Sequence, residues 1–199
     1  MIFTFGDSHC QAGWGQLPKG FGIPIRMVHT GPHLMFTFGK QGLDLLDIKK
    51  FGVAEGDSVV FCFGEIDVRC HFYDYRRWGI RHLVEELVEQ YMIAIKQNVS
   101  TYQSLDIFVY FVPPAVRKGS VINNPRYPYV GSDDERRLYS EQMNVGLCDW
   151  CGEVGFTFID LYASYCKDGF LNEEMSDGGP HIKVVDPLLN FVRQKMLHA

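Results

Sequence analysis

The stretch Met1-Ile2-Phe3-Thr4-Phe5-Gly6-Asp7-Ser8-His9 opens the chain. A short run rich in apolar side chains, Ile2 to Phe5, stops at a glycine, and an acid, a serine and a histidine follow at once. Such a run bounded by a turn residue reads as a strand covered on both faces. Ile25–His29, Ser58–Phe63, Ile107–Val112 and Phe156–Ile159 repeat the pattern.

Between these runs lie amphipathic helices. From Ile80, residues Leu83, Val84, Leu87, Val88, Tyr91, Met92 and Ile95 recur at helical spacing, with Arg81, Glu85, Glu86 and Glu89 opposite. Ser132-Asp133-Asp134-Glu135 has the form of a capping box and predicts a helix to about Cys151. Asp186-Pro187 predicts the last helix, with Leu188, Leu189, Val192 and Met196 as its buried stripe. A weaker helix is expected over Gly42–Lys50. Strands alternating with helices imply a parallel sheet with right-handed crossovers. With no repeat and no linker, residues 1–199 read as one α/β domain. Arg69–Gly79 and Pro113–Gly131 read as irregular loops, both rich in aromatic and basic residues.

Bulk properties narrow the partners. The chain is 46% hydrophobic, enough for a sizeable core, and its net charge of -5 argues against nucleic acid, which demands a basic face. No apolar stretch approaches the ~20 residues that span a bilayer, and no basic leader precedes Ile2, so a cytoplasmic location and no membrane partner are expected. The six cysteines lack a disulfide-framework spacing. Cys148 and Cys151 form a CxxC, but no second ligand pair stands nearby, and buried structural thiols are the expectation. No cluster has metal-ligand spacing, and no phosphate-cradling glycine loop follows the first strand, so neither metal nor cofactor is expected.

In an open α/β sheet, ligands bind beyond the carboxyl ends of the strands. Reactive residues gather there. Asp7, Ser8 and His9 follow the first run, Gly39 the second, Gly64, Glu65, Asp67 and Arg69 the third. Asp177 and His181 stand in a glycine-rich turn before the last helix. A serine needs a neighbouring base to act as a nucleophile, and a histidine so placed, oriented by an aspartate, is such a base. Taken alone, Ser8 and Asp7 read equally as helix cap and turn residue, and turns are commonly built from Asp, Gly and Pro.

Taken together, Gly6-Asp7-Ser8-His9 near the N-terminus, a glycine after the second strand, a G-x-x-D after the third and Asp177 with His181 before the last helix resemble the SGNH (GDSL-type) hydrolases. The resemblance spans nearly the whole chain. It implies a flavodoxin-like three-layer α/β/α sandwich of about five parallel strands, and hydrolysis of an acyl ester, including acetyl esters, of a small molecule or carbohydrate without a metal. It makes Ser8 the nucleophile, His181 the general base and Asp177 its acid partner. It places Gly39 in the oxyanion hole beside the Ser8 N–H, and sets Gly64 and Asp67 at the ends of the third block.

Two departures stand out. Ile66 occupies the position of the family's asparagine, an oxyanion donor, and loss of one such donor costs about 10²–10³ in rate. Arg69 is the candidate replacement, or else pairs with Glu65 or Asp67 to hold its loop. The Asp177–His181 spacing is also one residue longer than usual. His9 is read either as a substrate contact or as a packing residue. Tyr73, Trp78, Arg117, Tyr127 and Tyr129 are expected as substrate wall or as exposed loop decoration. Alternatives on the same scaffold are a catalytically weak or inactive binding protein, an acyltransferase with the same triad, and a nucleotide or flavin binder.

Overall fold

The computed structural model describes residues 1–18, 22–121 and 124–196. Strands β1 (Ile2–Gly6), β2 (Ile25–His29), β3 (Ser58–Cys62), β4 (Asp106–Tyr110) and β5 (Thr157–Ile159) form one parallel sheet in the order β2-β1-β3-β4-β5. This is the flavodoxin-like order, whose direction switches between β1 and β3. Gly6 pairs with His29 on one side and Cys62 on the other, so the C-terminal ends of the first three strands are level.

Period-2 alternation sends neighbouring side chains to opposite layers. Phe3, Phe5, Val59, Phe61 and Val109 pack in one core with Phe38, Tyr91 and Met143. These last three come from α1 (Met35–Gln41), α4 (Ile80–Val99) and α5 (Asp133–Val154). Ile2, Val60, Cys62, Phe108, Tyr110 and Ile159 pack in the other with Trp14, Tyr165 and Leu188. Tyr165 belongs to α6 (Tyr162–Tyr165) and Leu188 to α7 (Asp186–Lys195). Each of these large side chains, once fully buried, contributes roughly 1.5–3 kcal/mol. The result is the three-layer α/β/α sandwich anticipated from the sequence. A small hairpin, β6 (Cys166–Lys167) with β7 (Phe170–Leu171), follows α6.

The expected capping box is present: Ser132 accepts from the Glu135 amide, and the Glu135 carboxylate accepts from the Ser132 amide. Other expectations need correcting. The expected Gly42–Lys50 helix is replaced by two short 3-10 turns, Gly42–Asp44 and Ile48–Phe51. The real helix, α1, precedes them and ends at Gly42, whose φ is +50°. The segment 69–79, expected as a loop, holds the end of α2 (Glu65–Cys70), then α3 (Phe72–Tyr75) and a 3-10 turn, Arg76–Trp78. β4 stops two residues early because the Asn144 side chain of α5 takes both polar backbone groups of Val112. Cys10, Cys62, Cys70 and Cys151 are buried and Cys166 partly so, but Cys148 is exposed on α5. The segment 113–131 is irregular apart from the 3-10 turn Lys118–Ser120, and residues 122 and 123 lie outside the described residues. No described helix is long and apolar enough to cross a membrane.

Candidate active site

The turn after β1 is shaped by close approach. Gly6 has φ +155°, and a Cβ there would lie 1.9 Å from the Cys62 carbonyl oxygen. With no side chain in the way, the chain bends over the end of β3, and the Asp7 amide donates to that same oxygen at 3.2 Å. Asp7 is fully buried and caps the 3-10 turn Ser8–Cys10 by accepting from the His9 amide. Ser8 therefore sits at the first position of a fixed turn, half-buried, above the sheet.

Some 170 residues later the chain returns. Ser176 bridges Ile182, and the Asp177 amide donates to the His181 carbonyl at 3.1 Å. Gly178 and Gly179 close the turn, with the Gly179 amide donating to Asp177 Oδ1 at 2.9 Å. Ile182 is buried and packs on Gly13, where a Cβ would come within 2.7 Å of its Cδ1. That contact plugs the turn onto the segment that follows Ser8. Ser8 Oγ lies 2.8 Å from His181 Nε2, and His181 Nδ1 lies 3.0 Å from Asp177 Oδ2. The longer spacing is absorbed by the two glycines, and the three side chains form one hydrogen-bonded line. Burial and then the neighbouring His9 ring lower the His181 pKa, while Asp177 raises it, with a net value below the ordinary one.

His9 does not face an open site. Its ring is buried, with Nδ1 2.9 Å from Asp7 Oδ1, Nε2 3.3 Å from the Pro180 carbonyl, and its centroid 4.9 Å from that of His181. Burial opposes its charged form, but Asp7 more than offsets this and its pKa is raised.

Gly39 is not in the site. It lies inside α1, where a Cβ would meet Gln90 and Tyr91 of α4 at 3.0–3.2 Å, so it is a helix-packing glycine. The glycine that directly follows β2 is Gly31, with φ +106°. Its neighbour Thr30 ties this turn to β1, the Thr30 amide and hydroxyl both donating to the Gly6 carbonyl at 2.9 Å. A glycine within two residues of the strand end was the available signal.

Arg69 is not a free donor. Nε and Nη2 donate to the two Glu65 carboxylate oxygens at 2.6 and 2.9 Å, and Nη1 donates to the Tyr127 carbonyl at 2.6 Å. Tyr129 lies under the guanidinium at 5.1 Å. The pair holds α2 against the segment before α5. Gly64 caps α2 with φ +118°, and a Cβ there would strike Met35 and Val112. Asp67 caps α1, its two oxygens accepting from the Met35 and Phe36 amides at 2.8 and 3.1 Å. Burial pushes its pKa up to about 7 against those two amides.

The expected wall divides. Trp78 is half exposed and lines a groove of about 590 Å³ with Leu34, Phe36, Tyr75, Leu83 and Leu87. Tyr73 carries the Arg76 guanidinium on its ring, and Arg117 covers Phe170. Tyr127 and Tyr129 serve Arg69. No set of three or more His, Cys, Asp or Glu side chains among the described residues is arranged to hold a metal.

The five-stranded parallel sheet with helices on both faces is consistent with the α/β fold of the SGNH, or GDSL-type, hydrolases. No protein-family model matches the chain, and no curated protein is detectably similar to it in sequence. Solved structures are similar in three dimensions. A GDSL-like lipase from Bacteroides thetaiotaomicron is 15% identical with a TM-score of 0.63, over 98% of this chain and 87% of that one. The aryl esterase of M. smegmatis is 14% identical with a TM-score of 0.56, over 97% and 98%. A mutant acetyl-xylooligosaccharide esterase from Geobacillus is 16% identical with a TM-score of 0.52, over 97% and 92%.

Proposed function

We propose that the protein is a serine esterase that hydrolyses an acyl ester of a small molecule or carbohydrate through an acyl-enzyme. The observation that carries this reading is the 2.8 Å contact between Ser8 Oγ and His181 Nε2, with Asp177 on the opposite ring nitrogen. His181 takes the serine proton as Oγ attacks the acyl carbon, then gives it to the departing alcohol. Water next loses a proton to His181 and attacks the acyl carbon, and His181 gives that proton to Ser8 Oγ as the acid leaves. Asp177 holds the proton on Nδ1 and so keeps the Nε2 lone pair toward the hydroxyl. The Ser8 amide and the turn at Gly31 supply the oxyanion donors, Gly31 replacing Gly39 in this role.

The similarity to solved esterases and a lipase supports ester chemistry, and one of those proteins acts on acetylated xylooligosaccharides by its name. A second reading, a weakly active or inactive binding protein, is favoured by one observation. Ile66 stands where the family has its asparagine, and Arg69 is already committed to Glu65. Slow turnover is therefore expected.

Ser8→Ala decides between the two. The native protein should hydrolyse p-nitrophenyl acetate and take a fluorophosphonate label at Ser8, and the variant should do neither. Turnover unchanged by Ser8→Ala removes the mechanism, and a folded native protein that neither labels nor turns over supports the binding protein.

A further inference from the structure

His9 is buried behind the proposed base, and both its ring nitrogens face acceptors. Nδ1 faces Asp7 Oδ1 and Nε2 faces the Pro180 carbonyl oxygen. A carbonyl oxygen has no proton to give, so the Nε2 contact requires a proton on Nε2. Asp7 Oδ1 already accepts from the His9 amide at 2.8 Å, which marks it as an acceptor toward Nδ1 as well. Asp7 Oδ2 is buried and has no hydrogen-bond partner among the described residues. A ring that donates from both nitrogens in this arrangement is an imidazolium.

We propose that His9 is a positioning residue, held as an imidazolium by Asp7, which fixes the Pro180 carbonyl and keeps the adjacent His181 ring neutral. It rests on the reading of His181 as the general base. Two consequences follow from the geometry. First, Pro180 immediately precedes His181, so the hydrogen bond at 3.3 Å anchors the turn that aims His181 at Ser8. Second, a fixed positive charge 4.9 Å from His181 disfavours a second positive charge there, and so extends the pH range in which the base is neutral. The groups that oppose this are carboxylates. Asp7, 2.9 Å from His9 Nδ1, offsets part of the His9 charge, Asp177 contacts His181 directly, and Glu65 of α2, paired with Arg69, acts on both rings. The net direction agrees: the pKa of His9 is raised and that of His181 lowered.

The test begins with the native protein and needs no turnover. In ¹⁵N spectra at pH 7.5, the His9 ring should show two protonated nitrogens, while His181 titrates below its ordinary value of about 6.5. A neutral His9 tautomer at that pH overturns the proposal. In His9→Gln, and in His9→Asn should His9→Gln not fold, the His181 titration should move up by about 0.5 unit, the order that Coulomb repulsion between two unit charges in water sets at this separation. The acid limb of kcat/KM for p-nitrophenyl acetate should move up with it. A lower kcat with an unmoved limb and an unmoved His181 titration makes His9 a packing residue and sinks the proposal. Because the spectra read both rings directly, an inert Ser8 would defeat the hydrolase reading, and with it the positioning role, while the charge state of His9 would still be decided separately.

Discussion

Two acid–base pairs four residues apart lie near the same end of the sheet. Asp177 and His181 face each other at 3.0 Å across an open glycine turn, their side chains 45% and 28% exposed. Glu65 and Arg69 face each other at 2.6 Å along α2, each only 10% exposed. Charge type and spacing are alike, but the roles differ. The guanidinium spends all three nitrogens on Glu65 and Tyr127, whereas the imidazole spends Nδ1 on Asp177 and keeps Nε2 for Ser8. What separates the proposed catalytic pair from the structural one is a ring nitrogen that faces a hydroxyl, Ser8 Oγ, with which it can exchange a proton. Burial alone would have chosen the wrong pair.

Breaking the buried pair should have the largest energetic effect and the least chemical one. Arg69→Leu leaves the Glu65 carboxylate buried without its cation, and such breakage costs about 3–5 kcal/mol of stability. Replacing both residues by leucine removes the stranded charge, so the double variant should recover most of the loss. Urea unfolding midpoints check both. Turnover per folded molecule should hold in the double variant. A fall of about 10²–10³ there would instead make Arg69 an oxyanion donor.

Weakening the open pair should act on chemistry. Asp177→Asn should lower kcat about a hundredfold, short of the ~10⁴ seen where the triad acid is buried, because water can reach and partly replace this acceptor. Melting temperature should change little, since the carboxyl is exposed and its other oxygen only accepts from Gly179. Steady-state kinetics with p-nitrophenyl acetate checks this. An unchanged kcat would reduce Asp177 to a turn former.

The line of Ser8, His181 and Asp177 was legible in sequence because each member stands where a strand end or a helix start brings it, and local signals mark those places. Gly6 and Asp7 announce a turn, and Asp186-Pro187 announces α7 just after His181. The misreadings share one cause. α1 has no side-chain cap of its own at Leu34, and its first amides are held by Asp67, which reaches across from α2. A helix start supplied from another segment leaves no mark in the local sequence. The helix was thus expected too late, and the glycine after the second strand was sought at Gly39 instead of Gly31. The Arg69–Glu65 pair, one of two readings the sequence left open, is present, with helical spacing to mark it; the third partner, the Tyr127 carbonyl, left no local mark because it lies beyond β4.

That misplacement gives the smallest test. Gly39 sits where α1 crosses α4, and an added methyl would press on the Gln90 Cβ and backbone and the Tyr91 nitrogen at 3.0–3.2 Å. Backbone yields less readily than a flexible side chain, and such overpacking costs about 1–3 kcal/mol. Alanine regains up to ~1 kcal/mol over glycine as a helix former. Gly39→Ala should therefore lower the urea midpoint by no more than about 2 kcal/mol in stability and leave kcat as it was. A drop in kcat at an unchanged midpoint would put the Gly39 amide back in the oxyanion hole, and would require α1 to unwind at its centre when substrate binds.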